Sequence, residues 1–335
     1  MKIIFIAKKL ESASYLFYKK SFSRMKKIDS QISIDFHSIY DDYDYQNYDF
    51  VFFMGGAIEV KKAKDINSGI KCVVIDSRYG HKDSLENIDL VVSNGFENYL
   101  FNNSSAYKNF IYPTYPELSF LNNHSKKNNN LILGYHGNKI HLESMLPRIT
   151  DSIKELNKKY TTELWAMYNL KNLGKSKKIT SNKLGFKVKH IQYSYDNYNK
   201  YLSQADIGLV PQLIPYEDNL ISKLISKISF GSSNMSYGDY LLRFKDTTNL
   251  GRHFVFSQLR IPIISDITPS SISFIKNEKN GFLAYTSKNW LDYLLNLAAN
   301  DKLRKNIANE AFNDWSKNYS HDKLNIKFIN LLKSL

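Results

Sequence analysis

Apolar residues in this chain fall in short, nearly unbroken runs rather than in alternation with polar ones. In the first third the runs are KIIFIA (2–7), ISIDFHSI (32–39), DFVFFMGG (49–56), KCVVID (71–76), DLVVSNG (89–95) and NFIYP (109–113), each bounded by polar or turn-forming residues. A strand that is apolar on both faces must be covered on both faces, so the pattern predicts a parallel sheet flanked by helices. Helix-like segments, among them 12–27 and 96–101, separate the runs and give an alternating β/α domain. Residues 117–130, ELSFLNNHSKKNNN, are polar and of low complexity and read as a linker.

The alternation then restarts. Strand LILGYHG (131–137) leads to a helix over 141–160, strands over 161–168 and 187–193, a helix over 195–205 and strand DIGLVPQ (206–212). A helix within TNLGRHFVFSQLR (248–260), strand IPIISD (261–266), a helical turn over 270–276, strand GFLAY (281–285) and helices from Lys288 onward complete the chain. The expected fold class is α/β, with two Rossmann-like β/α/β domains facing across a cleft. The expected boundaries are 1–120 for the first domain, 121–130 for a linker, 131–315 for the second domain, and 316–335 for a C-terminal helix that packs back on the first.

At 335 residues the chain is too long for one ordinary core and suits two domains of about 150 residues each. The net charge of +14 favours anionic partners, whether nucleic acid, phosphorylated small molecules or acidic membrane surfaces, and does not choose among them. Much of the excess is Lys in Asn- and Tyr-rich company, which also suits a solvated surface. The single cysteine, Cys72, excludes an intrachain disulfide and a Cys-based zinc site, and its setting in IKCVVID reads as a buried strand position. No apolar run reaches the ~18 residues of a membrane span. A cytoplasmic protein is expected, with a basic face available for peripheral contact at the inner face of a membrane.

Open parallel sheets bind ligands beyond the carboxyl ends of their strands, so the loops after the strands are the places to look. GYHGNKIH (134–141) follows one strand and opens a helix: Gly134 and Gly137 allow close backbone approach, the helix amino terminus favours a phosphate, and His136, Asn138, Lys139 and His141 add donors. No complete GxGxxG or GxxxxGK[ST] pattern accompanies it. In RFKDTTNLGRHFVFSQLRIPIIS (243–265), a helix capped by Thr247 or Thr248 gathers Lys245, Asn249 and Arg252 around its first turn. A cation there opposes the helix dipole, which a bound anion would explain. His190, Gln192, Tyr193 and Tyr195 end another strand, where a base could stack. In the first domain MGGAIE (54–59) and IDSRYGH (75–81) bring Gly55, Gly56, Asp76, Arg78 and His81 to strand ends, and Asp76 or His81 could deprotonate an acceptor hydroxyl.

Several segments taken in order resemble GT-B glycosyltransferases, the two-domain enzymes that use nucleotide-sugars, and in particular the large retaining group that assembles bacterial glycans. They are GYHG, YNKYLSQADIGLVP, KDTTNLGRHFVFSQLRIPIIS, IKNEKNGFLAY and WLDYLLNLAANDKLRKNIANEA, and the likeness is clearest from Leu131 onward. The resemblance implies that the second domain holds the nucleoside diphosphate and the first the acceptor. It assigns Lys245, Arg252, Asn249, Thr248, Gly137 and Asn138 to the diphosphate, His190 and Tyr193 to the base, and His136 and Ser271 to the donor sugar.

The departures are specific. The paired glutamates of many retaining members are absent from NLGRHFVFSQLRIP, Arg260 stands where a Gly is usual, and Ser271 and Ser273 stand where Glu is common. The segment 212–243, which contains Glu217 and Asp218, is long enough for a lid or an acceptor contact. The expected activity is a metal-independent, hexosyltransferase-like transfer from a nucleotide-sugar to a hydroxyl of a glycan or lipid-linked glycan, as in capsule, lipopolysaccharide, O-antigen or glycoprotein assembly. No cofactor and no nucleic-acid partner is expected. A polyanion-binding protein, including a nucleic-acid binder, and a nucleotide-sugar epimerase of the same fold are the alternatives.

Overall fold

The computed structural model describes residues 1–55, 59–77, 87–102, 106–118, 130–171, 173, 178, 180–215 and 242–335. Gly56, Arg78, His81, Glu217 and Asp218 lie outside the described residues, as does all of the expected linker except Asn130. The chain divides into two compact units. The first comprises Met1–Glu117, Asp246–Gly251 and Ser316–Leu335, and the second Leu118–Lys245 and Arg252–Trp315. Besides the C-terminal segment, the short stretch 246–251 therefore groups with the first unit, although it lies in the middle of the expected second domain.

The first unit runs β1 (Lys2–Ala7), α1 (Ala13–Phe22), α2 (Met25–Ile28), β2 (Ser33–Ser38), β3 (Phe50–Met54), α3 (Val60–Ile66), β4 (Lys71–Ile75), β5 (Leu90–Ser93), α4 (Phe96–Phe101) and β6 (Lys108–Ile111). Its six strands form one sheet in the order β2-β1-β3-β4-β5-β6. Every pairing is parallel. The unbroken apolar runs are the central strands, with all of β3 and β5 buried, whereas the edge strands β2 and β6 are only partly covered. That is the burial pattern a helix-covered parallel sheet imposes.

The second unit runs β7 (Leu131–His136), α5 (Lys139–Glu143), α6 (Arg148–Asn157), β8 (Thr162–Tyr168), α7 (Ser181–Leu184), β9 (Lys187–Gln192), α8 (Tyr195–Tyr201), β10 (Ile207–Val210), β11 (Ile214–Pro215), β12 (Leu242–Arg243), α9 (Gly251–Gln258), β13 (Ile263–Asp266), α10 (Pro269–Phe274), β14 (Phe282–Ala284), α11 (Ser287–Ala299) and α12 (Asp301–Asn318). A final helix, α13 (His321–Leu332), belongs to the first unit. The second sheet, β14-β13-β10-β7-β8-β9, is again six-stranded and parallel throughout. Strands β11 and β12 pair antiparallel, so the two ends of the long segment after Gln212 are joined as a ribbon.

The single helix expected over 141–160 is two, because Pro147 stands between α5 and α6: it has no N–H to donate, and its ring disfavours helical backbone in the residue before it. Helix α13 completes the first core. The Phe328 ring stacks on Phe22 and Phe110 at 5.5 and 5.4 Å, and the Asn325 side chain accepts from the Tyr112 hydroxyl at 2.7 Å while donating to the Ser21 carbonyl at 2.8 Å.

Two glycines seat α9 on the second sheet. A Cβ at Gly208 of β10 would lie 2.6 Å from the Phe256 ring, and one at Gly134 of β7 would lie 2.7 Å from the Ala205 Cβ and 3.3 Å from Phe256. Leaving out these side chains lets the aromatic ring rest on the backbone, which sets the position of the helix and of Arg252 in its first turn. Gly208→Ala is therefore expected to destabilise the protein by about 1–3 kcal/mol through overpacking, read as a lower urea midpoint at unchanged m-value.

Candidate functional site

Strand order in the second sheet reverses between β7 and β10: the chain first builds outward through β8 and β9, then returns to the other side of β7. Such a reversal opens a crevice at the carboxyl ends of the two strands, where no crossover helix covers them. The crevice is flanked by His136 at the end of β7, by Gly137 after it and by Pro211 after β10. Arg252, the second residue of α9, spans it. Its Nη1 donates to the Pro211 carbonyl at 2.6 Å, and its Cδ and Nε lie 3.2 and 3.8 Å from where a Cβ on Gly137 would be. Gly137 also has φ of +136°, a backbone conformation open to glycine and rare for side-chain-bearing residues. Its N–H bonds the Met167 carbonyl at 3.1 Å, so Gly137 contributes room for Arg252 rather than a free donor.

Three buried imidazoles feel the Arg252 charge. His136, His141 and His253 are buried, and the His136 Nε2, His141 Nδ1 and His253 Nδ1 atoms have no hydrogen-bond partner. Burial, and after it the Arg252 charge, hold His136 and His253 down to about 3 and His141 to about 2; Lys245 adds to the effect on His141 and His136 to that on His253. Burial also lowers Arg252 itself, offset by Tyr135 and by Asp266. Among the described residues Asp266 is the carboxylate whose charge registers on Arg252, and that charge is already engaged by Arg148. Around Arg252 the crevice is poor in negative charge.

Asp266, at the end of β13, is fully buried. Its Oδ1 accepts from Arg148 Nη1 at 2.6 Å and Trp290 Nε1 at 3.2 Å; its Oδ2 accepts from Arg148 Nη2 at 2.9 Å and from the backbone N–H groups of Gln212 and Leu213 at 2.9 and 3.0 Å. The residues fixed by those last two bonds immediately follow Pro211, whose carbonyl holds Arg252. Sequence reasoning missed this residue, and Asp266 closing an apolar run was the only signal available.

The expected site residues fare differently. Thr248 does not cap a helix: α9 starts at Gly251, the Asn249 side chain accepts from the Gly251 N–H at 2.8 Å, and the buried Thr248 hydroxyl has no partner. Asn249 precedes the helix and so does not share a helical face with Arg252. Asn138 caps α5 by accepting from the Ile140 N–H at 3.1 Å, and α5, with five residues, offers little dipole. The fully buried Ser271 hydroxyl is spent on a capping box, accepting from the Thr268 N–H at 2.7 Å and donating to the Asp266 carbonyl at 2.7 Å. His190 Nδ1 lies 3.1 Å from the Tyr168 hydroxyl, and Tyr193 meets Tyr198 edge to face at 5.9 Å. In the first unit Asp76 is buried at the end of β4 with φ of +55°, and its carboxylate accepts from the Asn94 side chain.

Because the three histidines are held neutral when folded but titrate near 6.5 when unfolded, the unfolded state binds more protons over that interval. Their contribution is complete above pH 6.5 and is lost as pH falls toward about 3. Each should cost about 2 kcal/mol between pH 6.5 and pH 5. Urea midpoints measured across that range should fall steeply, and a flat profile would contradict buried neutral imidazoles. Asp266→Asn should remove about 3 kcal/mol or more, read at pH 7 by the same method, since it leaves Arg148 buried without its counter-charge.

No protein-family model and no curated protein matches this sequence. Solved structures do. HepE from Anabaena, in complex with UDP and glucose, aligns with a TM-score of 0.64 at 12% identity over 100% of both chains. A glycosyltransferase from Rickettsia africae aligns with a TM-score of 0.66 at 13% identity, over 99% of this chain and 98% of that one. Sucrose-phosphate synthase from Thermosynechococcus elongatus gives 0.64 at 9% identity over 100% and 99%. With two helix-covered parallel sheets of six strands each and likenesses that run the full length of the chain, this protein has the GT-B fold of nucleotide-sugar glycosyltransferases.

Proposed function

We propose that the protein is a glycosyltransferase that binds a nucleoside diphosphate-sugar in the second unit and transfers the sugar to a hydroxyl of a surface-glycan acceptor. One observation carries the reading: at the switch point of the second sheet, Arg252 is held on the Pro211 carbonyl beside Gly137 with little negative charge opposing it, and Lys245 adds its field. A diphosphate supplies that charge. Arg252 Nη1 is used by Pro211, and the remaining guanidinium N–H groups are the ones suited to forked contact with phosphate oxygens.

In the transfer the acceptor oxygen bonds to the anomeric carbon, the acceptor proton is released, and the bond from that carbon to the diphosphate oxygen breaks with its electron pair. Negative charge grows on the departing diphosphate. Fixed cations in a water-poor crevice stabilise that charge without having to reorganise, the role a divalent ion plays elsewhere. HepE has been solved with UDP-glucose, which makes UDP the first nucleotide to test.

UDP binding to wild-type protein should be measurable by calorimetry. Arg252→Ala should weaken it by on the order of 10–100-fold, the loss of about 1.5–3 kcal/mol expected for hydrogen bonds to a charged group, and Lys245→Ala by a smaller factor. Unchanged UDP affinity in Arg252→Ala would sink the assignment. Conversion of a nucleotide-sugar without any acceptor would favour the epimerase reading instead.

A further inference from the structure

Helices α1, α2 and α13 form one layer on the first sheet. Phe22 of α1 and Phe328 of α13 both pack on Phe52 of β3, at 5.7 and 5.8 Å. Arg24, just before α2, forks onto the Asp322 carboxylate of α13 at 2.9 and 2.8 Å. We infer that the outer surface of this layer is a docking face for an anionic lipid bilayer, with its lysines at the head groups and its aliphatic side chains below them. The face stands or falls independently of the function proposed above.

The charge of this layer is one-sided. Residues 8–27 carry seven Lys and Arg against Glu11 alone, whereas residues 28–60 contain no Lys or Arg. The acids within the layer are already engaged: Asp322 and Glu117 by Arg24, and Asp29 by Lys333 at 2.7 Å. Lys19 lies over the Phe36 and Tyr15 rings at 5.3 and 6.0 Å, and Lys327 donates to the Asn318 carbonyl at 3.2 Å. Lys8, Lys9, Lys26, Lys27 and Lys323 are exposed and have no carboxylate partner among the described residues. Against them stand the exposed Glu11 and, beside the first turn of α1, Asp41, whose charge reaches Tyr15 and which accepts from the Ser38 N–H at 2.7 Å with His37 3.7 Å away.

Aliphatic residues stand among those lysines. Leu16 of α1 is 49% exposed, Ile326 of α13 41%, Ile28 at the end of α2 37%, and Leu10 in the loop before α1 36%. On α13 the helical spacing puts Lys323, Ile326 and Lys327 on the stripe opposite the buried Asn325, Phe328 and Leu332. Inner and outer faces of the layer are therefore both patterned, the inner one by aromatic rings and the outer one by lysine with leucine and isoleucine.

The aliphatic residues choose among anionic partners. A hydrated polyanion pairs with the lysines and offers Leu16, Ile28 and Ile326 little apolar surface. A bilayer satisfies both groups, because anionic head groups lie at the level of the ammonium groups and acyl chains lie beneath. The long lysine stems keep their charges at head-group level while the shorter side chains enter.

Co-sedimentation with phosphatidylcholine vesicles, with and without roughly 30 mol% phosphatidylglycerol, tests the face. Wild-type protein should bind the anionic vesicles and not phosphatidylcholine alone, with an affinity that falls as salt is raised. Lys26→Ala, Lys27→Ala and Lys323→Ala combined should weaken binding on the order of 100-fold, about fivefold for each cation. Lys159→Ala, Lys279→Ala and Lys302→Ala combined remove as many exposed cations from the second unit and should change it by less than about twofold. Leu16→Ser with Ile326→Ser should weaken vesicle binding on the order of tenfold. Every substituted side chain is exposed, so loss of the fold does not enter. Failure of wild-type protein to bind anionic vesicles would overturn the inference, as would equal losses in the two triple-lysine variants, which would make net charge the cause. Undiminished vesicle binding by the double serine variant, with duplex DNA competing for the same lysines, would make the face a site for a soluble polyanion and overturn the lipid assignment. Vesicle binding by a protein that does not bind UDP would uphold this face and overturn the donor assignment instead.

Discussion

A buried carboxylate is tolerable only when its lone pairs are filled, and Asp266 fills them with donors from three separate parts of the second unit. Arg148 comes from the start of α6, Trp290 from α11, and two backbone N–H groups from the turn after β10. Because a buried carboxylate is stable only with such donors in place, the ends of β13 and β10 are held together as a unit. The turn so fixed presents the Pro211 carbonyl to Arg252. The position of the crevice's main cation thus depends on an ion pair that does not touch the crevice.

The same ion pair sets the electrostatics. A carboxylate near a guanidinium would ordinarily neutralise it. Here Arg148 takes both oxygens of Asp266 in a fork, so the acid shapes the wall beside Arg252 while its charge is already balanced. Arg252 is left with donor capacity and little opposing charge.

How much of this was legible in the sequence follows from what each feature depends on. Continuous apolar runs reported the central strands faithfully because burial on both faces is a local requirement, and the edge strands were visible as weaker runs. The break at Pro147 was also local and could have been read, but the apolar spacing through α5 and α6 masked it. Arg260 was noticed as an oddity at a glycine position, and the structure explains it: φ is +51°, and the side chain lies over Phe312 at 3.9 Å and donates to the Asn309 side chain at 2.7 Å. The site was harder. Thr248 and Ser271 look like ligand-facing hydroxyls in one dimension, but which hydroxyl is spent on a cap and which is left unpaired depends on where a helix begins to within one residue. Asp266 was invisible because its significance lies in partners made across long sequence separations.

Gly137 shows how a residue singled out in the sequence can have a different physical role in the structure. A glycine between a strand and a helix suggests backbone laid against phosphate, yet its N–H is committed to β8 and a Cβ there would press on the Arg252 side chain. Its freedom at positive φ serves the cation, and through the cation any anion that binds.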